Sequence, residues 1–238
     1  RVARQVRWGE VSFIHDQPGK NAPGSGLGGG GQATSALARV VQGAQRSVVI
    51  QTPYLVPSDA ALALLQQLRA RGVSVRISTN SLASTGYRNQ RERLLALGVQ
   101  VYEYKPAPEV QRQLIQRLTA TPRIAPVFSL HAKTLVVDGR TVYIGTFNFD
   151  PRSENLNTEV GVVVHDEGLA REVQTAIETD MAPGNSWNAA TDDPDQPDRN
   201  GDLGHRRARI GQALPGGLGG VDPADPGPDQ RQRHQPGL

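Results

Sequence analysis

The chain has 238 residues, 37% of them apolar, a formal net charge of +3 and no cysteine. Without cysteine there are no disulfides, thiolate metal sites or cysteine nucleophiles. Without a run of about 18 apolar residues or a charged-then-apolar leader, membrane contact is expected to be peripheral. The charge is uneven: residues 1–182 carry 20 basic against 15 acidic side chains, and the remainder 6 against 8. That surplus suits phosphate-bearing partners and equally suits ordinary solubility.

In chain order, residues 1–32 read as a connector and a glycine-rich linker, and the opening Arg1 reads as the mark of a fragment. The stretch Pro23–Gly31 lacks the Gly-Lys-Ser/Thr ending of a phosphate-binding loop. A domain is expected over 33–182. It begins with a helix at Ala33–Gln45 and the β-branched run Ser47–Gln51. Ser58 stands as an N-cap before the periodic Ala61, Leu62, Leu64, Leu65 and Leu68, and Gly72 ends that helix. Val73–Ser78 alternates as a strand, Tyr87–Leu97 reads as a helix, and Val99–Tyr104 alternates again. This β-α-β-α-β order predicts helices packed on a mixed, mainly parallel sheet, with ligands at the carboxyl ends of its strands. Leu130–Val137 and Thr141–Thr146 then read as a hairpin turning through Asp138-Gly139-Arg140. Glu159–Val164 reads as a strand and Glu167–Met181 as a closing helix. Residues 183–238, with 8 Pro and 10 Gly, read as a disordered tail.

Chemistry concentrates on the hairpin. His131 and Lys133, two apart on an extended segment, leave the same face roughly 6–7 Å apart. Thr146 and Asn148, also two apart, fold back beside them. An imidazole that attacks or protonates, an ammonium that neutralises, and hydroxyl and amide donors form a set suited to a phosphate, with no metal or cofactor required. Lysine is scarce here, with only Lys20, Lys105 and Lys133 against 23 arginines, so an ammonium at position 133 stands out from the general basic surface.

His131-Ala-Lys133-Thr-Leu-Val-Val-Asp138, followed after six residues by Gly145-Thr146-Phe-Asn148, resembles the HKD motif of the phospholipase D superfamily. The stretches Thr52–Pro57, Thr79–Ala83, Phe149–Ser153 and Asn157–Glu159 extend the resemblance over about residues 8–188, nearest to bacterial cardiolipin synthase-like members. The resemblance implies half of an α-β-α sandwich. It also implies phosphodiester transfer on phospholipids through a phosphohistidine, at the bacterial inner membrane by peripheral contact. His131 would serve as general acid, then base; Lys133, Thr146 and Asn148 would bind phosphate; Asp138 and Gly145 would be structural. Glu159 would hydrogen-bond the catalytic histidine of a companion half. The family builds its site from two motifs, whereas this chain has one: His15 is followed by Asp16 and Gln17, and Trp8–Lys20 resembles the connector after a first motif. The missing N-terminal half, or a second copy, would complete the site. Thr146 stands where the family usually has Ser, and the loop between Ser84 and Tyr87 is shorter than in relatives. The alternatives are a single-motif homodimeric phosphodiesterase or nuclease, with nucleic acid the less favoured partner, and a catalytically inert truncated fragment.

Overall fold

The computed structural model describes residues 9–20, 31–81, 85–118 and 129–192. Its strands are β1 (Val11–His15), β2 (Ser47–Gln51), β3 (Ser74–Asn80), β4 (Gln100–Tyr104), β5 (Thr134–Val137), β6 (Thr141–Gly145), β7 (Val160–His165) and β8 (Ser186–Asn188). Its helices are α1 (Gln32–Gln42), α2 (Asp59–Ala70), α3 (Thr85–Ala96), α4 (Glu109–Leu118), α5 (Pro151–Asn155) and α6 (Glu167–Met181). The strands form one sheet in the order β1-β7-β6-β5-β2-β3-β4-β8.

The expected mainly parallel sheet is corrected. Only β2–β3 and β3–β4 pair in parallel; the other described pairings are antiparallel. The reason lies in the connections. Parallel neighbours need a crossover of a dozen or more residues, which α2 and α3 provide, whereas β5 and β6 turn back within three residues. Asp138 and Gly139, with φ of 54° and 66°, occupy the left-handed region that Asp-Gly tolerates, and the Arg140 N–H donates to the Val137 carbonyl at 3.0 Å.

The β2 core residues Val48, Val49 and Ile50 are at most 2% exposed because both faces of the sheet are covered. One face packs against α1 through Leu37 and Val41, α2 through Leu62, Leu65 and Leu68, and α3 through Leu94. The other packs Val49, Val136 and Val142 against Ala170, Ile177 and Met181 of α6. Each buried Val, Leu, Ile or Met side chain among these contributes about 1.5–3 kcal/mol by leaving water. Ser58 caps α2 by accepting from the Ala61 N–H at 3.2 Å, as its position before the periodic run implied.

The sheet runs past the expected boundary at 182. Strand β8 pairs antiparallel with β4, and the Lys105 N–H donates to the Asn185 carbonyl at 2.8 Å. The remainder of the expected tail, 193–238, lies outside the described residues, as do 21–30 of the glycine-rich linker and 82–84 of the shortened loop. Strand β5 also begins later than expected, at Thr134, because both backbone groups of Leu130 are taken by a side chain, described below.

Asp138 braces the hairpin against β2. Its carboxylate accepts from the N–H groups of Gln45, Arg46 and Ser47 at 2.9, 2.7 and 2.8 Å. Burial would raise its pKa, but these donors and the Arg46 charge outweigh burial and hold it below the usual carboxylate range. Its contribution is therefore complete above that range and is lost as pH falls through the lowered value. Asp138→Ala is expected to cost about 2 kcal/mol, measured as a lower urea midpoint at unchanged slope, with the difference from the parent shrinking in acid.

Candidate active site

One end of the sheet gathers the carboxyl ends of β2, β3 and β6 and the amino ends of β5 and β7, because β5 and β7 run opposite to their neighbours. His131 and Lys133 lie just before β5 and Thr146 and Asn148 just after β6, so the hairpin brings the four to one end. The register is held by the Gly145 N–H, which donates to the Lys133 carbonyl at 3.2 Å.

Lys133 Nζ lies 3.3 Å from His131 Nε2 and donates to the His131 carbonyl at 3.0 Å. An ammonium has only donors, so in this contact Nε2 is the acceptor and its lone pair faces the cation. A phosphate arriving here would take over the ammonium's donors and release Nε2. Desolvation lowers the Lys133 pKa, and the carboxylates of Glu159 and Asp150 counter only part of that effect. The His131 side chain is exposed at the mouth of the site.

Asn148 is fixed from behind, where its N–H donates to Ser153 Oγ at 3.0 Å. Its Oδ1 is buried without a hydrogen-bond partner among the described residues. A buried amide left unpaired is costly unless a ligand completes it. Glu159, 3% exposed, accepts through Oε2 from the Thr146 hydroxyl. The same hydroxyl oxygen accepts from the Val160 N–H at 3.0 Å. Thr146 is thus committed to positioning Glu159 and the start of β7, and a phosphate there would have to share its hydroxyl.

Gly145 cannot carry a side chain. A Cβ would lie 2.2 Å from Tyr143 Oη and 2.5 Å from the Val160 carbonyl, because the Tyr143 ring lies across it. Tyr143 is 3% exposed, and burial is the first cause that pushes its pKa up to about 12. It therefore stays a neutral phenol, which accepts from the Phe147 N–H at 3.3 Å and so holds the Thr146–Asn148 turn.

Three positioning residues escaped the sequence reading. Asn80, at the end of β3, accepts from the Leu130 N–H at 2.7 Å and donates to the Leu130 carbonyl at 2.9 Å. The backbone next to His131 is thereby clamped by a side chain instead of a sheet ladder. Asp16 accepts from Lys20 Nζ at 2.8 Å, the Glu159 N–H at 3.0 Å and the Ala33 N–H at 2.9 Å. Ser153 completes the set, as the acceptor behind Asn148. Asn80 lay within a stretch already noted, Thr79–Ala83, but no local pattern points from there to a residue 50 positions on.

Comparison with known proteins places the chain in a family. A family described as "Cardiolipin synthase, PLD-like domain" matches residues 37–181. The chain belongs to that family of phospholipase D-like domains, whose chemistry is phosphodiester transfer. Cardiolipin synthase C of Escherichia coli K12 is 37% identical over 177 residues, 69% of this chain and 35% of that protein. Cardiolipin synthase A of Pseudomonas aeruginosa is 34% identical over 148 residues, 60% of this chain and 26% of that protein. The chain thus spans about a third or less of these relatives. Among solved structures, the phospholipase D family member Nuc from Salmonella typhimurium matches with a TM-score of 0.54 at 18% identity, covering 76% of this chain and 99% of that one. Phosphatidylserine synthase from Haemophilus influenzae matches at 0.53 and 16%, covering 85% and 46%. At these identities the structures speak for the fold, a mixed α/β sheet with helices on both faces.

Asn80→Ala is expected to destabilise the protein by about 1–3 kcal/mol and to increase amide exchange at Leu130, read by hydrogen–deuterium exchange. Gly145→Ala is expected to lower the melting temperature, since the Val160 carbonyl and the Tyr143 ring both stand where the methyl would go. Phosphate affinity, measured by calorimetry, is expected to fall with rising pH before the usual lysine range near about 10.4 is reached, since the depressed Lys133 loses its charge early.

Proposed function

We propose that this chain supplies one half of a phospholipase D-type active site that transfers a phosphatidyl group between alcohols. The observation that carries the reading is the contact between Lys133 Nζ and His131 Nε2 beside the unpaired Asn148 Oδ1. A cation, a titratable ring and an unsatisfied amide at one sheet end suit a phosphodiester in transfer. The two relatives named cardiolipin synthases favour a phosphatidyl donor and an acceptor such as phosphatidylglycerol.

In this scheme a histidine of the companion half attacks phosphorus. As the new P–N bond forms, the bond to the departing alcohol breaks, and protonated His131 gives that oxygen its proton. Neutral His131 then takes a proton from the incoming alcohol, whose oxygen attacks phosphorus and expels the companion histidine. Lys133 and Asn148 hold the phosphate oxygens while charge builds, and Thr146 acts mainly through Glu159. Glu159 would orient the companion histidine by accepting its ring N–H, fixing the tautomer. Among the described residues no helix is long and apolar enough to cross a membrane. We place the chain at a bacterial membrane surface by peripheral contact, where its lipid substrates lie.

The test joins the chain to an upstream half bearing a second His-x-Lys-x4-Asp and follows phosphatidyl transfer on phosphatidylglycerol vesicles. His131→Ala is expected to lower turnover by about 10²–10⁴-fold, and unchanged turnover would overturn the assignment. Thr146→Ser, which keeps the hydroxyl, is expected to stay within a few fold of the parent. Turnover by the unfused chain, sedimenting as a dimer, would instead make a second copy the companion. No turnover in either form would leave the inert-fragment reading.

A further inference from the structure

On the face of the sheet that carries Lys133, α1 and α2 stand apart and leave a cavity of about 430 Å³ between them. Leu37, Leu64, Ile50, Leu135 and Phe147 line it, and the small side chains of Ala38 and Ala61 keep it open. The lining positions on α1 run from Thr34 to Gln42, nine residues spanning about 12 Å of helix. Polar groups sit at the ends of this trough: Thr34, Glu154 and Lys133 at the mouth, Gln42 and Gln67 at the far end. Glu154 is already engaged, accepting from Ser58 Oγ at 2.7 Å.

Lys133 belongs to both regions. It lines the trough, and its ammonium meets His131. We infer that the trough holds one acyl chain of the phospholipid substrate, with that lipid's phosphate on Lys133 at the mouth. The inference rests on the phosphatidyl-transfer reading and adds to it that this half recognises the hydrocarbon as well as the phosphate. The choice of occupant follows from desolvation. A peptide would bring N–H and carbonyl groups, and a nucleobase its polar edge, against Leu37, Ile50 and Leu135, which offer no partners, and the buried Thr134 Oγ1 could meet only one of them; an acyl chain brings none. A length of about 12 Å accepts on the order of eight methylenes.

The test titrates the full chain by calorimetry with three soluble probes: inorganic phosphate, butanoyl lysophosphatidic acid and octanoyl lysophosphatidic acid, each below its micellar concentration. Complete burial tightens binding about fourfold per methylene. The octanoyl probe is therefore expected to bind at least tenfold more tightly than the butanoyl probe. Ala38→Phe, which fills the trough, is expected to remove that difference and leave phosphate affinity unchanged. Leu64→Ala, which widens it, is expected to keep the difference, which guards against a folding defect in the first variant. Equal affinity for the two lipids with intact phosphate binding overturns the inference and spares the phosphate site. A chain-length effect that Ala38→Phe leaves in place also overturns it. A chain-length effect with phosphate binding insensitive to Lys133→Gln would leave a hydrocarbon site unconnected to the reaction, and the phosphatidyl-transfer reading would fail instead.

Discussion

A carboxylate enclosed by protein has to meet a donor at each oxygen, and Asp16, 3% exposed, meets its donors on three separate segments. Lys20 supplies an ammonium, Ala33 an N–H at the start of α1, and Glu159 an N–H at the start of β7. Lys20 in turn donates to the Ser153 carbonyl at 2.7 Å, and Ser153 Oγ receives the Asn148 N–H. One buried ion pair thus ties the connector, α1, α5 and β7 together and fixes both Glu159 and Asn148. Burial raises the Asp16 pKa, but Lys20 and the two backbone donors outweigh it and hold it low. The contribution of the Asp16 carboxylate is complete above the usual carboxylate range and is lost as pH falls through its lowered value. Removing one member of such a pair strands the other, which is why these segments act as a unit.

Close packing imposes a second constraint at the same end. Gly31 precedes α1 at a point where a Cβ would lie 1.9 Å from Asp16 Oδ1. The last glycine of a stretch that reads as flexible linker therefore has a steric duty of its own. Gly145 has the same standing beneath the Tyr143 ring. In both places the absence of a side chain lets a buried polar group reach its partner, and a motif glycine becomes legible as packing.

The site uses the two halves of the sheet differently. The parallel strand β3 delivers Asn80 from its carboxyl end, as the crossover through α2 requires. The antiparallel hairpin delivers His131, Lys133, Thr146 and Asn148, because only a tight turn sets Gly145 beside Lys133. The helical layer beside Lys133 is loosely closed between α1 and α2, whereas α6 seals the other face with Ala170, Ile177 and Met181. An apolar trough therefore adjoins the end of the sheet that carries Lys133, on one of its faces.

Much of this was legible from the chain alone. Residue spacing located the hairpin, the α2 cap and the full extent of α6, because those signals are local: side-chain period, cap chemistry and turn residues all act within a few positions. The HKD spacing singled out His131, Lys133, Asp138, Gly145, Thr146 and Asn148, and the wider resemblance added Glu159. The sequence could not show that most strand pairings are antiparallel, that β8 extends the sheet beyond residue 182, or that Thr146 spends its hydroxyl on Glu159. Nor could it show that Asn80 clamps Leu130 and Asp16 anchors Glu159, contacts that span 50 and 143 positions. Local patterning determines which segments become helix or strand and which residue types can do phosphate chemistry. Which buried polar group finds which distant partner is decided only when the chain closes, since the cost of leaving any of them unpaired is felt only in the folded interior.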